Sequence, residues 1–380
     1  YYTGTAWMWL ATANNTQGWL TTGNAGTDTS VNFIGTTTNM PLRFKVNNQW
    51  NGQFDPNNSN FFIGNNAGRV NTGIVNTAFG SLALSGNTTG NFNTAFGGGA
   101  LLSNTTGSSN VVVGNTAMGN HKTGDNNTAI GTNAMNGDTT GTLNVAVGAF
   151  TLFNAKNITQ NTAIGANALF DHKSGNNNVA VGASSLGADT AGFESTAIGA
   201  SAMSLGKDIR YNTAVGMYSL LNTGVNSNNG LFGNFNTAVG HNSAKAITKG
   251  FGNVAIGNDA LSTDTTGSAN IAVGNGAASG LIGGSGIVAV GYFALSNGRG
   301  SNKIAIGTQA LRNDTSANGN IAIGHFAMLI NRRGVNNVAI GISALYGNFS
   351  GSRNVAVGDS ALFSNNFTVS SGNHFTNNTA

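Results

Sequence analysis

The sequence predicts an all-β fold, a parallel β-solenoid wound in 17-residue coils. Three observations predict it: a recurring phrase, its fixed interval and an unusual composition. The phrase has five residues and ends in glycine, as in NVAVG at 178–182 and STAIG at 195–199. Its glycine falls at Gly64, Gly80, Gly97, Gly114, Gly131, Gly148, Gly165, Gly182, Gly199, Gly216, Gly240, Gly257, Gly274, Gly291, Gly307, Gly324, Gly341 and Gly358. The interval is 17 residues except for 16 at two places and 24 at one, so eighteen copies keep a near-constant register. Only 7% of residues are charged, against about a quarter in an ordinary soluble domain. Disorder pairs low hydrophobicity with high net charge, whereas 39% of this chain is apolar and its net charge is +4.

Residues 1–58 form the first unit and differ in kind from the rest. All four tryptophans (Trp7, Trp9, Trp19, Trp50) and both prolines (Pro41, Pro56) lie there. The stretch FIGTTTNMPLRFKVNNQW, 33–50, reads as alternating strands with a turn near Asn39 to Pro41. A small N-terminal β-cap of this kind would close the open end of a coil stack, which otherwise exposes unpaired backbone. The tryptophans read either as packing residues of that cap or as an aromatic carbohydrate site.

Residues 59–362 are the repeat array. One residue before each glycine stands Ile, Val or Phe, as at Ile130, Val147, Ile164 and Val181. Two before it stands Ala in all but two copies, and three before it Thr, Val or Ile in nearly all. Alternating faces with β-branched residues predict a short strand, and Ile164 and Val181 are expected to point into the coil. Asparagine opens the strand at Asn127, Asn144, Asn161 and Asn178, so stacked coils would align these amides as a ladder. Three and four residues after the glycine come a small residue and then, usually, Leu or Met, as in Ala168–Leu169 and Ala202–Met203. A second glycine sits seven before the first at Gly90, Gly107, Gly124, Gly141 and Gly175, which suits turns of positive φ. Such a unit is too small to bury its own core and must borrow its neighbours. At ~4.8 Å per rung the stack is a rod of very roughly 80 Å. A helical repeat is the alternative, and the density of Gly and Asn and the lack of a 3.6-residue stripe speak against it.

The array carries three further signals. Three before the glycine, Thr occupies seven of the ten copies from Gly80 to Gly240 but none from Gly257 onward. The later rungs therefore face a drier environment, either a subunit interface or a better-filled coil interior. Eight residues after the glycine stand Lys122, Lys173, Lys207, Arg299 and Arg332. Equal offset places them on one edge as a sparse positive stripe, serving surface contact or solubility. The one long interval holds an insertion, Asn222 to Phe235, whose Leu231, Phe232 and Phe235 either form an exposed apolar contact or patch the coil. Residues 363–380 lose the register and read as a tail leading into a further segment.

Chemistry is thinly supplied. With no cysteine there is no disulfide or Cys-based metal site. No apolar run approaches the roughly 18 residues of a membrane span, so no membrane insertion is expected. The basic surplus is too slight to argue for nucleic acid. Glu194 is the only glutamate, and Asp138, Asp189, Asp264 and Asp314 fall in turns, where Asp caps backbone amides. His121, His172, His241, His325 and His374 show no metal-ligand spacing and read as solvated turn residues. No catalytic, cofactor or metal site is predicted, and the chain is not read as an enzyme. Acids assembled from adjacent chains at one groove are the remaining route to a polysaccharide depolymerase. Tyr1 in place of a starting methionine suggests a piece of a longer chain.

The phrase NTAIG or NVAVG followed by xxAL, with linkers such as NTTG at 104–107, resembles the head repeats of trimeric autotransporter adhesins of the YadA type. It resembles still more the repeat-bearing phage tail-fibre and bacterial surface-fibre proteins, and the likeness covers residues 60–362. The resemblance implies a left-handed parallel β-roll and a homotrimeric fibre. It implies a structural and adhesive role, attachment to host cells or surfaces through a cell-surface glycan or protein receptor. It also implies an extracellular location, on a bacterial cell surface or on a virion. A phage receptor-binding tail fibre and a bacterial adhesin share this shaft. The period here exceeds that of the adhesin heads, and the self-cleaving chaperone with which related fibres often end is not visible. An ice-binding solenoid is a further alternative, but it needs Thr-x-Thr ranks where this strand reads Thr-Ala-Ile or Val-Ala-Val.

Overall fold

The computed structural model describes residues 33–224, 233–315 and 318–365, and among these the chain is all-β with no helix. Strand β1 (Leu42–Val46) pairs antiparallel with β2 (Gln49–Asp55) through a two-residue turn at Asn47–Asn48. Both asparagines hold positive φ, 48° and 56°, as a hairpin turn of that length demands. The chain also bends at 37–39, beside the turn expected near Asn39 to Pro41, but residues 33–41 form no strand, so the hairpin reverses at the Asn pair instead. The Asn pair tolerates the left-handed backbone and decides where the chain reverses. Strand β2 pairs antiparallel with β3 (Asn60–Ile63), after a turn in which Asp55 accepts the Asn57 amide at 3.0 Å. Trp50 Nε1 donates to the Ala67 carbonyl at 2.7 Å, fastening this hairpin to the first coil. Trp7, Trp9 and Trp19 lie outside the described residues, as does the tail from 366.

From β3 onward the chain winds as a parallel β-solenoid of about 17 turns. Each rung strand lies beside the next without register shift, so Ala163 faces Ala180 and Ala180 faces Ala197. These rungs, with β1 and β2, make one 20-stranded sheet. The opposite wall is tied coil to coil as well: Leu152 N–H donates to Ala168, Leu169 to Ser185 and Leu186 to Ala202, at 2.9–3.0 Å. A second sheet of three short strands (Ile330–Asn331, Gly347–Asn348, Ser364–Asn365) stacks in the last coils.

The interior reverses one expectation. Ala163 and Ala180 are fully buried, whereas Ile164 is 39% exposed and Val181 only half-buried. The central alanine points in, and its β-branched neighbours on either side point out. The coil is narrow, and opposite the sheet it already holds a buried small residue and, in most turns, a Leu or Met. A methyl is what fits between the two walls in most turns; Val112 and Phe62, buried at the same position, are the two larger exceptions. The residue three before the glycine shares the outward face, so the loss of Thr along the array does not reflect a better-filled interior.

Two backbone constraints explain the repeat's spelling. A Cβ on Gly165, at φ 127°, would lie 2.6 Å from the carbonyl carbon of Gly182 in the next coil. Glycine therefore stacks on glycine because no side chain fits. The residue four after the glycine is in the left-handed region: φ is 50° at Leu169, Leu186 and Met203. Left-handed backbone costs roughly 1–2 kcal/mol per residue and is worst for β-branched residues. In all eighteen copies this position is Leu, Met, Ala or Gly, never Ile or Val.

Two substitutions test this assignment. Ala163→Asp should cost several kcal/mol in urea unfolding, since it buries an unpaired charge, whereas Ile164→Asp should leave the β-sheet circular dichroism intact. Leu169→Val should cost more than the roughly 1 kcal/mol of one deleted methylene, and a smaller loss would show that the left-handed backbone does not select the residue.

Candidate functional surfaces

Inside the coil run two polar columns. The first is the asparagine at the strand entry. Asn127 Oδ1 accepts the backbone N–H of Asn144 at 3.0 Å, while its Nδ2 donates to the Gly141 carbonyl at 2.8 Å. Asn144, Asn161 and Asn178 repeat the pattern, each fully buried. Side-chain amides also meet directly, as Asn144 Nδ2 with Asn127 Oδ1 at 3.1 Å. The ladder satisfies mainly the backbone of the following coil.

The second column lies seven residues after the glycine, and the sequence reading did not recognise it. Asn104, His121 and Asp138 follow one another there in successive coils, as His172 and Asp189 do farther on. Both histidines are fully buried, so their reading as solvated turn residues is wrong. Their rings do what asparagine does elsewhere: His121 Nε2 meets the Gly124 carbonyl at 2.9 Å, as Asn104 Nδ2 meets Gly107 at 2.8 Å. Each then faces a carboxylate, His121 Nδ1 at 3.7 Å from Asp138 and His172 Nδ1 at 3.2 Å from Asp189. Lys303, at an asparagine position, reaches Asp314 at 3.0 Å. The aspartates cap backbone amides as expected, but from within: Asp138 accepts Asn157 at 2.8 Å, and Asp264 accepts Gly267 and Gly283 at 3.0 Å. Burial raises the carboxyl of Asp138, partly offset by His121, and raises that of Asp264. Burial lowers the ammonium of Lys303, and Asp314 opposes the shift. Fully covered groups of this kind are shape-and-charge fillers of the coil; no substrate reaches them.

Outside, three surfaces stand out. The sheet's outer face carries an apolar column one residue before the glycine and, three before it, a second column that mixes Thr and Val from Thr77 to Thr237 and is Val or Ile from Val254 onward. Phe79, Phe96, Ile130, Ile164, Ile198 and Ile256 are 39–49% exposed in the first, and the Phe79 and Phe96 rings stack at 4.7 Å. The edge eight after the glycine holds Lys122, Lys173, Lys207, Arg299 and Arg332, all exposed. Backbone bonds align part of it directly: Thr105 N–H donates to Lys122, and Lys122 to Thr139, both at 2.8 Å. Lys156 belongs to this edge too, beside Lys173, and equal offset would have found it. At the insertion, Phe235 is 60% exposed and stacks on Tyr211 at 5.0 Å, while Arg210 lies over Phe193 at 4.5 Å. Leu231 and Phe232 lie outside the described residues, as does His374; His241 and His325 are exposed. Among the described residues no three metal-binding side chains converge, and no helix is long and apolar enough to cross a membrane.

Comparison with protein-family models, with curated proteins and with solved structures found no match.

The buried acids make stability depend on pH in a defined direction. A carboxyl raised above its ordinary 3.8 in the fold binds its proton more tightly there than in the unfolded chain. Stability therefore falls as pH rises from 3.8 through the raised value and is level beyond it. Asp264→Asn should remove part of that fall in melting temperature against pH, and Asn already fills the equivalent place at Asn87, Asn104 and Asn348. An unchanged profile would mean that Asp264 is not the group responsible.

Proposed function

We propose that this chain is the shaft of a homotrimeric extracellular fibre that holds a binding surface away from a bacterial cell or a virion and serves attachment. It acts without catalysis, and its partner is a cell-surface glycan or a protein receptor. The observation that carries the reading is the outer sheet face. Its apolar column one before the glycine runs from Ile63 to Val357, and the column beside it becomes wholly Val or Ile from Val254 to Val355. Monomeric proteins rarely expose contiguous apolar patches beyond a few hundred Å². A stripe very roughly 80 Å long calls for cover, and identical copies related by a rotation axis along the rod supply it with no face left open. The change from Thr to Val or Ile on this face supports a tighter seam toward the later coils. Three copies and a left-handed winding follow from the likeness of NTAIG and xxAL to the fibre repeats. The β1–β2 hairpin, paired on the free edge of β3, suits a cap that stops end-to-end growth. A bacterial adhesin and a phage tail fibre fit this shaft equally.

Light scattering should give roughly three times the chain mass of 38.4 kDa, and a monomer would overturn the trimer. Ile164→Asp combined with Ile198→Asp should leave the coil's circular dichroism in place while shifting the mass toward one chain. Fluorescently labelled trimer should be retained on intact cells after washing; no retention on any cell type tried would remove the attachment role.

A further inference from the structure

The charge of this chain is unevenly placed. The four coils from Gly291 to Gly358 contain Arg299, Lys303, Arg312, Arg332, Arg333 and Arg353 against Asp314 alone. They carry +5 of a chain whose total is +4, so everything else together carries −1. Asp314 is already engaged inside the coil by Lys303. Among the described residues Arg299, Arg312, Arg332 and Arg333 form no ion pair with a carboxylate. Five of the chain's eight arginines gather here, while seven of its eight lysines lie elsewhere. Arginine offers a planar fork that matches carboxylate, sulfate and phosphate oxygens.

The same coils hold an open groove of about 520 Å³, lined by Asn297, Asn313, Thr315, Ile330 and Arg332. It lies on the basic edge. Asn297 Nδ2 donates to Asn313 Oδ1 at 2.9 Å, which fixes both amides and leaves the oxygen of the first and the nitrogen of the second directed to other partners. Thr315 Oγ1 donates to the Arg332 carbonyl at 2.9 Å, joining neighbouring coils beneath the groove. The Arg332 guanidinium lies 5.3 Å over the Phe349 ring, a contact that orients the fork while its edge stays exposed. Arg299 and Arg332 stand two coils apart on this edge, a span of ~9.6 Å along the rod.

We propose that this groove binds an acidic polysaccharide, with Arg332 and its neighbouring arginines taking the acid groups and the Asn297–Asn313 pair taking hydroxyls. The inference rests on the attachment reading and names the chemistry of the ligand. An extended chain fits because the groups repeat along the fibre axis, one coil after another. A nucleic acid fits less well: single strands need open aromatic faces for their bases, and none of the groove's lining residues is aromatic. The acid can be a carboxylate or a sulfate ester, since the arginine fork accepts both.

The test uses the full chain in surface binding to polygalacturonate, dextran sulfate and neutral dextran at low salt. At least one acidic polymer should bind, dextran should not, and the preferred one identifies the acid. Arg332→Gln should weaken that binding about tenfold, whereas Lys122→Gln, on the same edge but far from the groove, should change it little. Arg333→Gln provides a second reading should Arg332→Gln fail to fold by circular dichroism. Absence of binding to both acidic polymers, equal binding to dextran, equal losses at Arg332 and Lys122, or tighter binding to single-stranded DNA would each overturn the proposal. A trimer that adheres to cells yet ignores both acidic polymers would sink the groove and leave the fibre; a chain that neither trimerises nor adheres would remove the fibre independently.

Discussion

Every feature of this molecule depends on direct backbone contact between consecutive coils. A glycine carbonyl in one turn occupies the space where a side chain on the previous glycine would stand, and the strands pair there without slip. That contact holds each strand to one register, even across the 24-residue interval, where Ala214 still faces Ala238. It forces glycine at one place and a left-handed residue four places later. It also brings each buried amide opposite the same amide in the next turn, so inward polar groups find partners along the axis. A coil of this size encloses little apolar volume. Hydrogen bonds between neighbours, repeated at the asparagine and at the turn carbonyls, therefore carry a share of the cohesion that a wider core would supply by burial.

The interior histidines and aspartates follow from the same geometry. Once the asparagine seven after the glycine is a spacer between a carbonyl below and an amide above, any side chain of similar reach can replace it. Histidine does so with its ring, aspartate with its carboxylate, and leucine or isoleucine where the backbone finds other partners. Where a histidine and an aspartate fall in adjacent turns, their side chains meet inside the coil. These pairs belong to the scaffold, although in a list of residue types they resemble the parts of an active site.

Much of the architecture was legible in the sequence, because a strict period leaves few ways to place its residues. The strand, its length and the amide ladder were readable from fixed offsets. The second glycine of the coil was located there too, but not its reason: of Gly90, Gly107, Gly124, Gly141 and Gly175 only Gly175 has positive φ, and at Gly90 a Cβ would run into the Gly107 carbonyl oxygen of the next coil. The facing of the strand was not. Alternation separates Ala163 from Ile164 but does not say which is inside, and greater hydrophobicity pointed to Ile164. The width of the coil decided otherwise, and width is a property of the closed turn rather than of any one strand. The buried column escapes a search for metal-ligand spacing for a related reason: the informative neighbour of His121 and of His172 is the aspartate seventeen residues on, in the next coil. On the surface, offset alone located the basic edge, while the amide groove between its arginines depends on side chains from three consecutive coils.

The unshifted pairing of every rung has a genetic corollary. Since each turn meets its neighbours through the same atoms, a segment of whole turns can be duplicated or deleted in the gene and the new junction will close like the old. Unequal recombination between copies would thus lengthen or shorten the protein in equal steps, altering reach while the ends and their contacts are preserved. A lineage can tune how far such a molecule extends without having to solve its folding again.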